Sequence, residues 1–268
     1  MDGSLFPLWD FVSSRQFATL VQVMFRTHRL FQVLLFLTLA MSSFGAQLVR
    51  EASDPPSAPA IVIGFVGGFV SPNDAVHSEV ELANRLRREY PSGVYVQIFD
   101  NRHVGEAFKK IAELLDTRHT GKLTDDEKQN ARIIIYGHSW GGSAAIKLAR
   151  QLGAAGIPVL LTVQIDSVAK FHEDDSIIPS NVEAAANFYQ PYGRLHGRAE
   201  IRAAVPSRTR IIGNYRFDYK TKPVDCYADY PWWDRHLTKA HTEIECDPQV
   251  WNQVESLIRS SLSAPAQT

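Results

Sequence analysis

One serine in the chain sits where an alcohol can be made reactive. Ser139 is the middle residue of Gly137-His138-Ser139-Trp140-Gly141. Ahead of it runs Ala131-Arg132-Ile133-Ile134-Ile135-Tyr136, an apolar, β-branched stretch that predicts a buried strand. Behind it, from Gly142 to Leu152, apolar residues recur at helical spacing. A G-x-S-x-G between a strand and a helix is a nucleophile elbow, whose tight turn strains the serine backbone and lifts the hydroxyl clear of the sheet. Glycine at 137 and 141 removes side chains that would collide with the flanking strand and helix.

A serine hydroxyl attacks slowly until a base takes its proton, and the base needs an acid to orient it. Downstream of the elbow the order Ser…Asp…His is met by Asp166, which closes the apolar run Pro158 to Ile165, and by His241, just ahead of the last helical pattern. Asp218, in Arg216-Phe217-Asp218-Tyr219-Lys220, is the alternative acid, and His236 the alternative base. His138 is expected to pack beside the sheet, and the run Glu173-Asp174-Asp175 to be a solvated loop. Stabilising the developing oxyanion takes two backbone N–H groups. Trp140, following the nucleophile, supplies one; Phe69 or, next, Gly68 in the turn Gly67-Gly68-Phe69 supplies the other.

These residues must be positioned by the elements around them. Strands are predicted over Ala60 to Phe65, Val94 to Phe99, the elbow strand, Pro158 to Ile165 and Thr209 to Tyr215. Helices are predicted from a cap at Asn73-Asp74 to Tyr90, from Glu106 to Arg118, after the elbow, and from Pro248 to Leu262; Thr120 to Asn130 reads as a loop or helix end. Residues 167–207 lack a long period and are expected to form an insertion over the site, a lid or side wall. Strands alternating with helices imply a mostly parallel sheet covered on both faces, with ligands outside the strands' carboxyl ends. The aromatic loop Tyr227 to Trp233 and the Phe188-Tyr189 segment are candidates for an acyl pocket wall and equally for core.

From about Ala60 to the C-terminus the chain resembles the α/β-hydrolase superfamily. The stretch Gly137-His138-Ser139-Trp140-Gly141-Gly142, Ala149 to Leu152 and Gln164-Ile165-Asp166-Ser167 is similar to type I thioesterase domains, which also place the acid directly after the strand that follows the nucleophile helix. The resemblance implies an α/β-hydrolase fold with Ser139 as nucleophile, Asp166 as acid and His241 as base. It implies hydrolysis of a carboxylic ester or thioester. An acyltransferase using the same residues and a catalytically silent binding protein on the same fold are the alternatives.

The first 46 residues differ from the rest. Arg26, His28 and Arg29 precede an apolar stretch from Leu30 to Met41, then small residues follow, the layout of an export signal with a translation start at Met24. The apolar core, about a dozen residues, is short of the ~20 a membrane span needs, and an uncleaved anchor is the competing reading. Residues 47–59, with Asp54-Pro55-Pro56-Ser57-Ala58-Pro59, read as a linker to a domain over 60–268. Membrane contact is expected only through the N-terminal segment. Cys226 and Cys246 bracket His241, and in an exported protein such a pair suggests a disulfide. A formal net charge of −1 without a basic stripe argues against nucleic acid as a partner. No metal-ligand spacing and no G-x-G-x-x-G occurs, so neither metal nor cofactor is expected.

Overall fold

The computed structural model describes residues 58–170, 173–226, 230, 236 and 238–263. The chain separates into Met1–Pro55 and Pro56–Thr268, and every described residue lies in the second unit. The signal-like segment 1–46, Met24 and most of the linker 47–59 lie outside the described residues, as do Tyr227, Trp232 and Trp233 of the aromatic loop.

Six strands form one parallel sheet: β1 (Ala60–Val66), β2 (Val94–Asp100), β3 (Ile133–His138), β4 (Val159–Ile165), β6 (Val182–Tyr189) and β8 (Arg210–Arg216), in the order β2-β1-β3-β4-β6-β8. The two-residue strands β5 (Ile177–Ile178) and β7 (Arg202–Ala203) pair separately. Side chains alternate between the two faces, and the strands are apolar on both. Ile61, Ile63 and Phe65 pack with Ile133 and Ile135 against α2 (Val104–Leu115) and α4 (Trp140–Ala154). On the other face Val62, Ile134, Tyr136, Leu161 and Val163 meet α1 (Ser78–Glu89) and α6 (Pro248–Ser263). Each such fully buried aliphatic side chain contributes about 1.5–3 kcal/mol.

Three expectations need correction. The lid-like insertion over 167–207 contains β6, a central strand between β4 and β8. Its sequence Val182-Glu183-Ala184-Ala185-Ala186-Asn187-Phe188-Tyr189 is alanine-rich and weak in strand propensity, so no strand was legible. Small side chains there are buried under helices on both sides, which gives the strand its stability from packing. Phe188 is fully buried, stacked on Tyr215 at 4.9 Å, and so belongs to the core rather than to a pocket wall. Asn73-Asp74 does not cap α1: the Asp74 carboxylate accepts the Val76 amide in a turn, and the helix starts at Ser78 with His77 as N-cap. The segment Thr120 to Asn130 holds a short helix, α3 (Asp125–Gln129), begun by a capping box between Thr124 and Glu127.

Cys226 and Cys246 form a disulfide, with Cα atoms 5.7 Å apart and a sequence separation of 20. It closes the loop that contains His241 and joins it to the last residue of α5 (Lys239–Cys246). Replacing both cysteines by serine is expected to lower stability by about 3 kcal/mol, read as a fall in melting temperature that reductant reproduces in the parent protein.

Candidate active site

The register of the sheet aligns the strand ends. Val66 lies opposite Asp100, Phe65 opposite Gly137, His138 opposite Ile165, and Ile165 opposite Phe188. The residues that follow, Gly67-Gly68, Asn101, Ser139, Asp166 and Gln190, therefore form one row along the carboxyl edge. Ser139 has φ 55° and ψ −126°, a conformation an L-residue adopts only under constraint. Its N–H donates to the Ile165 carbonyl (2.9 Å) and its carbonyl accepts from Val168 N–H (3.1 Å), so the elbow is tied directly to the chain around Asp166. A Cβ at Gly137 would lie 2.4 Å from the Gly141 backbone, and one at Gly141 2.3 Å from the Phe65 carbonyl oxygen; the turn exists only with glycine at both.

Asp166 also has positive φ, 41°, and is fully buried. Its Oδ2 accepts from His241 Nδ1 (2.6 Å) and Gln190 Nε2 (2.8 Å); its Oδ1 accepts from Gly197 N–H (2.7 Å) and Gln190 N–H (3.2 Å). Four donors hold the carboxylate in one orientation. A side chain at Gly197 would fall 2.4 Å from the Asp166 carbonyl carbon, so this clamp requires glycine. Asp218 is elsewhere employed: its Oδ1 accepts the amides of Lys220 (3.1 Å) and Thr221 (3.3 Å) in a surface turn. His236 is exposed, whereas His241 is buried with its ring 4.6 Å from that of His138.

The acidic run after β4 is only partly solvated. Asp175 is buried, accepts the Ser167 hydroxyl at 2.5 Å, and pairs with Arg198 Nε at 2.8 Å. Glu173 accepts from Ser143 Oγ (3.1 Å) and Lys147 Nζ (2.8 Å). Both carboxylates thus brace the segment immediately after Asp166.

The turn after β1 packs on the elbow: a Cβ at Gly67 would lie 3.1 Å from Ser139 Cβ. Asn101 Nδ2 donates to the carbonyls of Val66 (3.2 Å) and Gly68 (2.7 Å), pinning the turn from β2. Gly67 N–H is engaged by Glu79 Oε1 (3.3 Å), which leaves the next two amides, of Gly68 and Phe69, as the candidate oxyanion donors from this turn. Trp140 is the first residue of α4, where N–H groups have no acceptor within the helix. The Phe69 side chain is 82% exposed and meets the Trp140 ring edge-on at 5.6 Å.

Behind these residues lies a buried polar cluster that sequence inspection missed. Glu245 faces His77 and His138: one carboxylate oxygen bonds His77 Nδ1, the other is 3.5 Å from His138 Nδ1. The Tyr230 hydroxyl donates to it at 3.2 Å. One residue set thereby joins α1, the elbow and the helix that carries His241. Burial pushes His138 down to about 4, so it is neutral near pH 7. Burial also opposes the charge on His77, but the adjoining Glu245 overrides it and lifts His77 to about 9. Burial, reinforced by the charge of Glu245, raises Glu79 to about 8. His77, Glu79 and Glu245 bring donor atoms within 4.8 Å of one another, the spacing of a cation site. A protonated His77, an ionised Glu245 and a neutral Glu79 already balance charge there.

His77 and Glu79 both hold protons more tightly folded than unfolded. The His77 contribution is complete below its ordinary 6.5 and is lost as pH rises through 9; the Glu79 contribution fades between 4.5 and 8. The melting temperature is expected to fall from pH 6.5 to 9, and Glu79→Gln to flatten the part of that fall below pH 8. A melting temperature that rises over this range contradicts the assignment.

Six parallel strands in this order, with a serine on the strained turn out of β3 and an aspartate closing β4, define an α/β-hydrolase fold. No family model matches the chain, and no curated protein matches it. Among solved structures it is similar to a cutinase-like protein from Cryptococcus sp., with 13% identity, 80% of this chain and 100% of that chain covered, and a TM-score of 0.42. It is similar to Est1E from Butyrivibrio proteoclasticus (12% identity, 79% and 92% covered, TM-score 0.38). ClbQ from the colibactin NRPS/PKS pathway is similar at 12% identity, with 75% and 98% covered and a TM-score of 0.38.

Proposed function

We propose that the chain is a serine hydrolase that cleaves a carboxylic ester or thioester through an acyl-enzyme on Ser139. The observation that carries this reading is the buried 2.6 Å bond between His241 Nδ1 and Asp166 Oδ2 beside a serine at φ 55°. With Asp166 accepting at Nδ1, that nitrogen carries the proton and Nε2 is left as the base. Ser139 Oγ attacks the acyl carbon and passes its proton to Nε2. The oxyanion forms against the amides of Trp140 and of Phe69 or Gly68, each such donor being worth ~10²–10³ in rate. His241 returns the proton to the leaving oxygen or sulfur as the bond from the acyl carbon to that atom breaks, and the leaving group departs with the acyl group held on Ser139 Oγ. Water, deprotonated by His241, then releases the acid and regenerates the hydroxyl. Asp166 stabilises the imidazolium formed at each proton transfer.

Export belongs to the same proposal. The basic, apolar and small segments of the first 46 residues supply the signal, and the Cys226–Cys246 disulfide suits an oxidising compartment. Two measurements test the hydrolase reading. A fluorophosphonate probe is expected to label the native protein. Kinetics on p-nitrophenyl esters and acyl-CoA thioesters of graded chain length are expected to reveal turnover and its acyl preference. Folded protein that neither takes the label nor turns over any of these substrates overturns the reading.

A further inference from the structure

Beside the acid and base, at the carboxyl ends of β6 and β8, is a cavity of about 460 Å³, a volume typical of small-molecule sites. Three cationic side chains line it from three separate segments: Arg194 from the loop after β6, Lys220 from the loop after β8, and Lys239 from the first turn of α5. Glu243 is the carboxylate in the lining, and it stands 3.9 Å from Lys239 Nζ and accepts the Val224 amide. Tyr192 and Tyr219 give the walls aromatic surface. Lys220 Nζ sits 4.5 Å over the Tyr192 ring, and Arg216, whose Nη2 donates to the Tyr192 hydroxyl at 3.1 Å, adds a further positive charge next to the wall. Asp218 hydrogen-bonds the same tyrosine and Asp247 accepts the Tyr219 hydroxyl at 2.9 Å behind the wall, while in the lining itself three cations face one carboxylate.

The cavity wall is also built into the acid's support. Tyr192 N–H donates to Gln190 Oε1 (2.7 Å), while Gln190 Nε2 bridges Asp166 Oδ2 and the carbonyl of Leu195, itself in the lining. Ala240, also in the lining, immediately precedes His241. A group held here lies against the residues that orient the base.

We propose that this cavity binds an anionic group of the substrate, a carboxylate or a phosphate, while the ester carbonyl is presented to Ser139. The substrate class is then an ester or thioester that carries a second, negatively charged function. The proposal rests on the hydrolase reading for its catalytic half, and on the cavity alone for its binding half.

The test uses the full chain and two surface substitutions together, Lys220→Gln and Lys239→Gln. Kinetics compare p-nitrophenyl hexanoate with analogues ending in a carboxylate or in a phosphate. The native protein is expected to favour one anionic analogue by about tenfold in kcat/KM through KM, and the double variant to lose that preference, as loss of a charge-assisted contact predicts. Which analogue is favoured identifies the anion. Turnover of the neutral ester with no anionic preference, or a preference the double variant retains, overturns the proposal while leaving the hydrolase reading intact. Calorimetric titration of Ser139→Ala with adipate and with glycerol phosphate reads the cavity without catalysis. Saturable binding that the lysine substitutions weaken by about tenfold supports it even where no ester is hydrolysed. The absence of binding by both anions, together with the absence of turnover, overturns both readings.

Discussion

Ser139→Ala is expected to abolish fluorophosphonate labelling and to lower kcat on any ester or thioester substrate by up to ~10⁶, the scale on which a triad nucleophile contributes. The residual rate comes from the oxyanion donors and substrate positioning, which the substitution leaves in place. The alanine keeps the backbone that Ser139 already holds at φ 55°, and among the described residues the hydroxyl it loses makes no bond that supports the fold; the elbow is tied by backbone bonds to Ile165 and Val168. The melting temperature should therefore stay near that of the parent protein. Retained labelling or turnover in a well-folded Ser139→Ala protein would remove Ser139 from the chemistry.

The second large effect is on the acid. Asp166→Asn is expected to lower kcat by ~10⁴, because an amide presented to His241 Nδ1 reverses the tautomer and leaves Nε2 protonated, without a lone pair to accept the serine proton. It also costs stability. All four groups around the carboxylate are donors, so the amide nitrogen meets another N–H whichever way it turns, at about 1–3 kcal/mol. Asp218→Asn separates the two effects, since that carboxylate is engaged by two amides of its own surface turn and by Tyr192, while His241 bonds Asp166. Kinetics and thermal unfolding on both variants decide between them. Loss of activity in Asp218→Asn with full activity in Asp166→Asn would transfer the acid to position 218.

The difference between what was legible and what was not follows from the range of the interactions. Ser139, with Asp166 or Asp218 and His241 or His236 after it, stood out as candidates because an elbow needs glycines within two residues of its serine, and because strands and helices write their period into neighbouring side chains. The same logic failed at β6, whose alanines carry no alternation and become a strand only when both faces are covered. It failed at Asn73-Asp74, where a good cap is spent on a turn and the helix begins four residues beyond Asp74. Gln190 and Gly197 were invisible as supports of Asp166, since their contacts cross 24 and 31 positions of chain.

By itself, then, the sequence determined the parallel architecture, the strained corner at Ser139 and the order of the groups that follow it, all of which depend on residues close together along the chain. The tertiary structure alone decided that Asp166 rather than Asp218 meets His241, that Glu79 occupies the Gly67 amide, and that Glu245 is enclosed by His77 and His138. Those choices are made by buried polar atoms seeking partners where water cannot serve. The partner each finds depends on which distant segments the packed core brings within about 3 Å.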